Sequence, residues 1–105
     1  MKGEALKGHL DLLLLAALHQ QAGHGYAIAE RLRRGSGGTF DLPEGTIYPA
    51  LHRLEHSGLL TSRWAEGDTR RRRVYQLTRK GARVLVQRQQ EWLQFSRAVM
   101  GIVGA

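Results

Sequence analysis

Leu12 to Leu18 is an unbroken run of seven apolar residues in a chain of 105. It lies within residues 5–21, where Leu10, Leu13, Leu14, Ala17 and Leu18 recur at helical spacing and Gly23 follows as a stop. A helix apolar on most of its faces has to be covered on most of its faces. The run therefore predicts a central helix around which everything else packs. It is too short to span a bilayer, which takes about 20 residues. Asp11 precedes it and no small-residue cleavage site follows, so neither a signal peptide nor a membrane segment is expected, and the default is a soluble cytoplasmic protein. A chain of this length supports one small core and buries about 60–65% of its unfolded surface, so a partner chain would add stability.

The remaining periodicities place the other elements. Residues 25–34, GYAIAERLRR, predict a second helix, ended by the GSGG loop at 35–38. Residues 44–57 predict a third, with Ile47, Ala50, Leu51 and Leu54 as its buried stripe. Tyr48, His52 and Glu55 fall on the opposite stripe, with Pro49, Arg53 and His56 beside them. Pro49 is harmless if this helix starts near Gly45 or Thr46; an earlier start removes the bond to Gly45. Residues 60–65 and 72–77 read as strands joined by Glu66-Gly67-Asp68-Thr69, and a short strand at 39–42 is left open as a further partner. Thr78 is a suitable N-cap for one long helix over 79–101. Its apolar residues form two neighbouring stripes. Leu85, Trp92, Phe95, Val99 and Ile102 make one; Val86, Leu93 and Met100 make the other. Such spacing is a coiled-coil-like seam that calls for a second chain.

The chain has no cysteine, which excludes disulfide scaffolds, thiolate zinc fingers and cysteine nucleophiles. Its net charge of +7 is concentrated: Arg63 to Arg83 holds eight cations against two acids, or +6. A localised basic segment suits a phosphate backbone, since neutralising phosphates releases counterions. Three helices followed by a basic hairpin is the order of a winged helix-turn-helix. The expected fold is thus mainly α with a small β-hairpin. A winged helix-turn-helix unit would span residues 1–78 and a long dimerisation helix residues 79–105. The third helix would enter the major groove of DNA and the hairpin would lie on the adjacent backbone.

Four motifs, in order and at matching spacing, carry a family resemblance. They are LKGHLDLLLLAAL at 6–18, HGYAIAERL at 24–32, GTIYPALHRLEHSGLL at 45–60 and VYQLTRKG at 74–81. The chain resembles the PadR-like transcriptional regulators of the short type, over residues 6 to about 95. The resemblance implies a homodimeric binder of an inverted-repeat operator, commonly a repressor. By it, Thr46, Tyr48, Pro49, His52 and Arg53 match the exposed face of the recognition helix. Arg70, Arg71, Arg72 and Arg73 match the wing, and Gly25 and Tyr26 the start of the supporting helix near the phosphates. It also implies an apolar groove between the paired terminal helices for a flat aromatic or hydrophobic effector, at Leu85, Trp92, Phe95 and Val99. Val74 departs from the pattern, where a second aromatic is common.

Competing readings exist for most of these residues. His52, Glu55 and His56 satisfy H-x-x-E-H, a zinc-hydrolase signature, but no paired third ligand follows. Arg53 suits a bidentate guanine contact or a phosphate equally. Tyr48 is expected to touch DNA rather than fill the core. Trp92 and Phe95 read as dimer core or as a stacking plate for an effector, and Trp64 as hairpin packing. No nucleophile–base pair or phosphate-binding glycine loop is present, so neither an enzyme nor a cofactor or metal is expected. The rival function is a winged-helix module that docks an acidic protein.

Overall fold

The computed structural model describes residues 6, 8–67 and 71–104. Three helices come first: α1 (Leu10–Gln20), α2 (Gly25–Gly35) and α3 (Glu44–His56). A hairpin follows, β1 (Leu60–Glu66) and β2 (Arg71–Leu77), and then α4 (Arg79–Val103). The winged helix-turn-helix expected from the sequence is what forms. Leu14 and Leu15 of α1 are fully buried with Ile28 of α2 and Ile47 and Leu51 of α3. The apolar run is central because α2, α3, β2 and α4 all pack against it.

Local chemistry sets the joints. Arg31 of α2 donates to the carbonyls of Ala17 (3.1 Å), Ala22 (2.9 Å) and Gln21, so it caps acceptors that the end of α1 leaves open. Gly23 does more than follow α1. Its N–H donates to the Tyr75 carbonyl at 3.0 Å and its carbonyl accepts from Tyr75 N–H at 2.9 Å. This pairing occupies the edge of β2 remote from β1. Residues 39–42 accordingly form no strand, which corrects the sequence reading: the described sheet has two strands. Phe40 N–H donates instead to Ser36 Oγ at 2.8 Å, and Phe40 and Leu42 pack on the core.

α3 begins at Glu44, early enough to place Pro49 inside it. Gly45 thus lacks its helical donor. The buried stripe Ile47, Ala50, Leu51 and Leu54 holds the helix regardless. Gly58, at φ +81°, ends it in the left-handed region that favours glycine.

Thr78 caps α4 as expected, its Oγ accepting from Gly81 N–H at 3.0 Å, while its hydroxyl donates to the Gly58 carbonyl at 2.8 Å. Gly81 is buried where α4 seats: a Cβ there would lie 2.1 Å from the Leu59 carbonyl oxygen. Leu85 is only 2% exposed and belongs to the domain core. This corrects its assignment to the seam, because the first turns of α4 lie against α1. A boundary after residue 78 therefore divides segments that share one core. The rest of α4 projects outward, and the molecule measures 51 × 28 × 20 Å.

Candidate nucleic-acid interface

The hairpin register sets which side chains share a face. Leu60 pairs with Leu77, Ser62 with Tyr75, Trp64 with Arg73 and Glu66 with Arg71. Alternation puts these pairs on one face, apolar at the base and cationic towards the tip. An open cleft of about 570 Å³ lies between that hairpin, α3 and the start of α2. It is lined by His24, Tyr26, Glu44, Tyr48, His52, Trp64, Arg71, Arg72, Arg73 and Tyr75.

Each wall has a local cause. His24 is the N-cap of α2: its Nδ1 accepts from Ala27 N–H at 3.3 Å. Its Nε2 lies 2.8 Å from Arg72 Nη1. A neutral imidazole has one acceptor nitrogen, so the cap and Arg72 compete for one lone pair. Burial, then the charges of Arg72 and Arg31, push the His24 pKa below the usual histidine value, and Glu44 opposes them. Tyr26 is exposed and its ring stacks on His24 at 6.4 Å. Tyr48 lies over buried Gly25, where a Cβ would sit 2.5 Å from Tyr48 Cζ. Gly25 is therefore the seat of Tyr48 and is itself buried.

Trp64 is 54% exposed, with the Arg71 and Arg73 guanidinium groups 4.9 and 5.1 Å from its ring centroid. Its contacts are thus made within the hairpin. Arg73 Nε donates to Ser62 Oγ at 2.8 Å, and Ser62 donates to Glu55 at 2.5 Å. Glu55, the acid of the H-x-x-E-H run, joins α3 to the hairpin. Among the described residues no group of three or more His, Asp or Glu side chains is arranged to hold a metal ion.

Tyr75 was not singled out as a site residue from the sequence, yet it forms the floor of the cleft. It is fully buried, its hydroxyl closed off from solvent with Arg73 close by. Burial, with the Glu55 charge adding to it, pushes its pKa up, and Arg73 opposes the shift by its charge and by hydrogen bonding. A VYQLT strand offered no signal for this, since an aromatic facing the core is ordinary. His24 and Glu44 were likewise missed; they stand at helix starts, where capping was the available cue.

The other expected residues lie elsewhere. Thr46 and Pro49 are exposed on α3 but do not line the cleft. Arg70 lies outside the described residues. Arg53 points away, donating to both Asp11 carboxylate oxygens at 2.8 and 2.9 Å, with Arg88 of α4 3.8 Å from Asp11. Arg53, above all by hydrogen bonding, holds Asp11 below the usual carboxylate range.

A second surface runs along α4. Trp92, Phe95 and Val99 are exposed, as are Leu93, Met100 and Ile102. The Trp92 ring meets His9 edge-on at 5.0 Å, and Phe95 lies 6.2 Å from it. Gly8, His9, Leu12, Arg88, Glu91, Trp92 and Phe95 enclose a groove of about 300 Å³. Among the described residues no helix is long and apolar enough to cross a membrane.

Comparison with known proteins agrees with this architecture. Residues 14–87 match the family model of the transcriptional regulator PadR-like family. The chain is 37% identical over 78 residues to transcriptional regulator Rv3488 of Mycobacterium tuberculosis, covering 74% of this chain and 70% of that protein. A transcriptional regulator from Clostridium thermocellum superposes with a TM-score of 0.88 at 28% identity, covering 96% of this chain and 99% of that one. A PadR family transcription regulator from Clostridium difficile superposes at 0.77 with 34% identity, covering 93% and 100%.

Proposed function

Because the chain belongs to the PadR-like family of transcriptional regulators and is not an enzyme, we propose that it binds duplex DNA sequence-specifically as a cytoplasmic homodimer and acts as a repressor. One observation carries the reading. Three arginines of the hairpin, the half-buried Tyr48 and the exposed His52 of α3 converge on a single cleft. A groove-reading helix beside a basic wing is the arrangement that duplex binding needs. Phosphate contacts from Arg71 and Arg72 would set register and affinity. Base-edge contacts from the exposed face of α3, around Thr46, Pro49 and His52, would supply sequence preference.

The exposed apolar residues of α4 support a dimer seam, and two copies would present their α3 helices to inverted half-sites about 34–36 Å apart. The Trp92 groove supports release by a small aromatic or hydrophobic effector that prefers one dimer shape. Arg53 serves as a brace to Asp11 in the free protein, so base contact by it requires that pair to open.

The test is fluorescence anisotropy with a labelled duplex from upstream of the protein's own gene and a shuffled duplex of equal length. Preference of about 10³-fold or more for the first is expected. Binding to neither duplex at low salt, with capture of an acidic peptide instead, would replace this reading with the protein-docking one. For the effector step, release that persists in Trp92→Ala would remove Trp92 from it.

A further inference from the structure

We infer that Asp11 is an exchange point between α3 and α4: it holds Arg53 while the protein is free of DNA and passes to Arg88 when Arg53 leaves for the duplex. The inference rests on the DNA-binding reading and adds to it a linked contact outside the hairpin cleft, which none of these three residues lines. Asp11 stands in the first turn of α1, and Arg53 donates to both of its carboxylate oxygens, at 2.8 and 2.9 Å. Arg88 Nη1 lies 3.8 Å from the same Oδ2. That is close enough to feel the charge but beyond a hydrogen bond, for which N–H···O spans about 2.7–3.2 Å. Three helices thus share one acid.

Exposure decides which group moves. The side chain of Asp11 is 18% exposed, against 57% for Arg53 and 41% for Arg88. The carboxylate is largely covered, whereas both guanidinium groups end flexible chains at the surface. A phosphate or a guanine edge is the kind of acceptor that draws Arg53 away. Asp11 would then be left charged and covered, with both of these hydrogen bonds gone. A covered charge without a partner is costly, and closure of Arg88 by about 1 Å supplies one. Arg88 follows Leu85, the last buried residue of α4, by three positions, so it stands where the helix leaves the core. Its closure draws the outgoing helix towards α1 as α3 takes up DNA. Linkage makes the effect reciprocal: whatever keeps Arg88 from Asp11 holds Arg53 there and weakens DNA binding. Glu91, three residues on and lining the Trp92 groove with Arg88, is the rival carboxylate.

The experiment is a cycle of Arg88→Gln with Asp11→Asn in the full chain, read by anisotropy on a labelled, mixed-sequence duplex at two salt concentrations. In the parent, Arg88→Gln is expected to weaken binding about five-fold or more and to keep the salt slope, because Arg88 acts through Asp11 and not on a phosphate. With Asp11→Asn no charge is left behind, and the same substitution is expected to change affinity by less than about two-fold. Equal weakening in both backgrounds means that Arg88 acts without Asp11 and overturns the exchange while leaving the DNA reading standing. Parental affinity in Arg88→Gln overturns it as well. Failure of the parent to bind any duplex at low salt overturns both.

Discussion

Placing a methyl group at position 25 probes whether a glycine holds an interface side chain in place. On the native backbone of Gly25 the new carbon would lie 2.5 Å from Tyr48 Cζ, 2.6 Å from its hydroxyl and 2.9 Å from Cε1. Non-bonded carbons prefer about 3.5–4.0 Å, so the ring tip has to retreat by about 1 Å or more. That tip is the far end of a flexible side chain, and alanine is the better helix former by up to ~1 kcal/mol. Gly25→Ala is therefore expected to change folding stability by less than about 1 kcal/mol. Binding should suffer, because a displaced Tyr48 loses one contact to the duplex: about five- to ten-fold in affinity, or ~1–1.4 kcal/mol. Gly81→Ala is the matched control. Its methyl would meet Leu59 backbone oxygen at 2.1 Å and Leu77 Cδ1 at 2.8 Å, and backbone cannot swing aside. It should cost about 1–3 kcal/mol and lower the urea midpoint by circular dichroism. The pair of assays separates the roles. Parental DNA affinity in Gly25→Ala would refute the seat beneath Tyr48, and parental stability in Gly81→Ala would refute the close docking of α4 on Leu59.

Asp11→Asn frees Arg53 and Arg88 and removes one negative charge; stability should fall by no more than about 1 kcal/mol, because Arg53 is exposed. Duplex affinity should rise with a steeper salt slope, and an unchanged slope would mean Arg53 stays off DNA once released. The depressed His24 pKa means the folded state resists protonation there. Its stabilising contribution is full above the ordinary histidine value of about 6.5 and is lost as pH falls below it. His24→Asn, which can still cap α2, should flatten the stability profile between about pH 7 and 5; a profile as steep as the parent's would place the titration elsewhere. Trp92→Ala should weaken self-association by about ten-fold or more in sedimentation equilibrium, and an unaltered dimer would move the seam off this residue.

What the sequence made legible was whatever periodicity and turn chemistry encode. The central α1, the buried stripe of α3 and the Thr78 cap were all readable, since each depends on residues within a few positions of one another. The pairing of Gly23 with Tyr75 was not, because the two lie 52 positions apart and use only backbone groups. The site divided in the same way. The arginine run and the exposed face of α3 were visible as composition. The recruitment of Arg53 by Asp11 was hidden, since exposure on a helix wheel does not reveal an acid arriving from another helix. Leu85 illustrates the opposite error: a seam drawn by heptad spacing runs on without marking where the core ends.

α4 also has a mechanical property. Its seat is at the base, around Gly81 and Leu85, and Val103 lies 18 residues beyond Leu85. At 1.5 Å per residue that overhang is an arm of about 27 Å, so a tilt of about 10° at the base sweeps its end through about 5 Å. In a pair of copies joined along their arms, the same ratio runs backwards. A slight change where the arms meet would turn each head by an angle large enough to carry α3 off the groove proposed for it. The contacts of Asp11 with Arg88 and of His9 with Trp92 act as stiffeners at the root of that arm. The Asp11–Arg88 contact, which lies away from the hairpin cleft, would then help set the tolerance to which the distance between the two α3 helices is held.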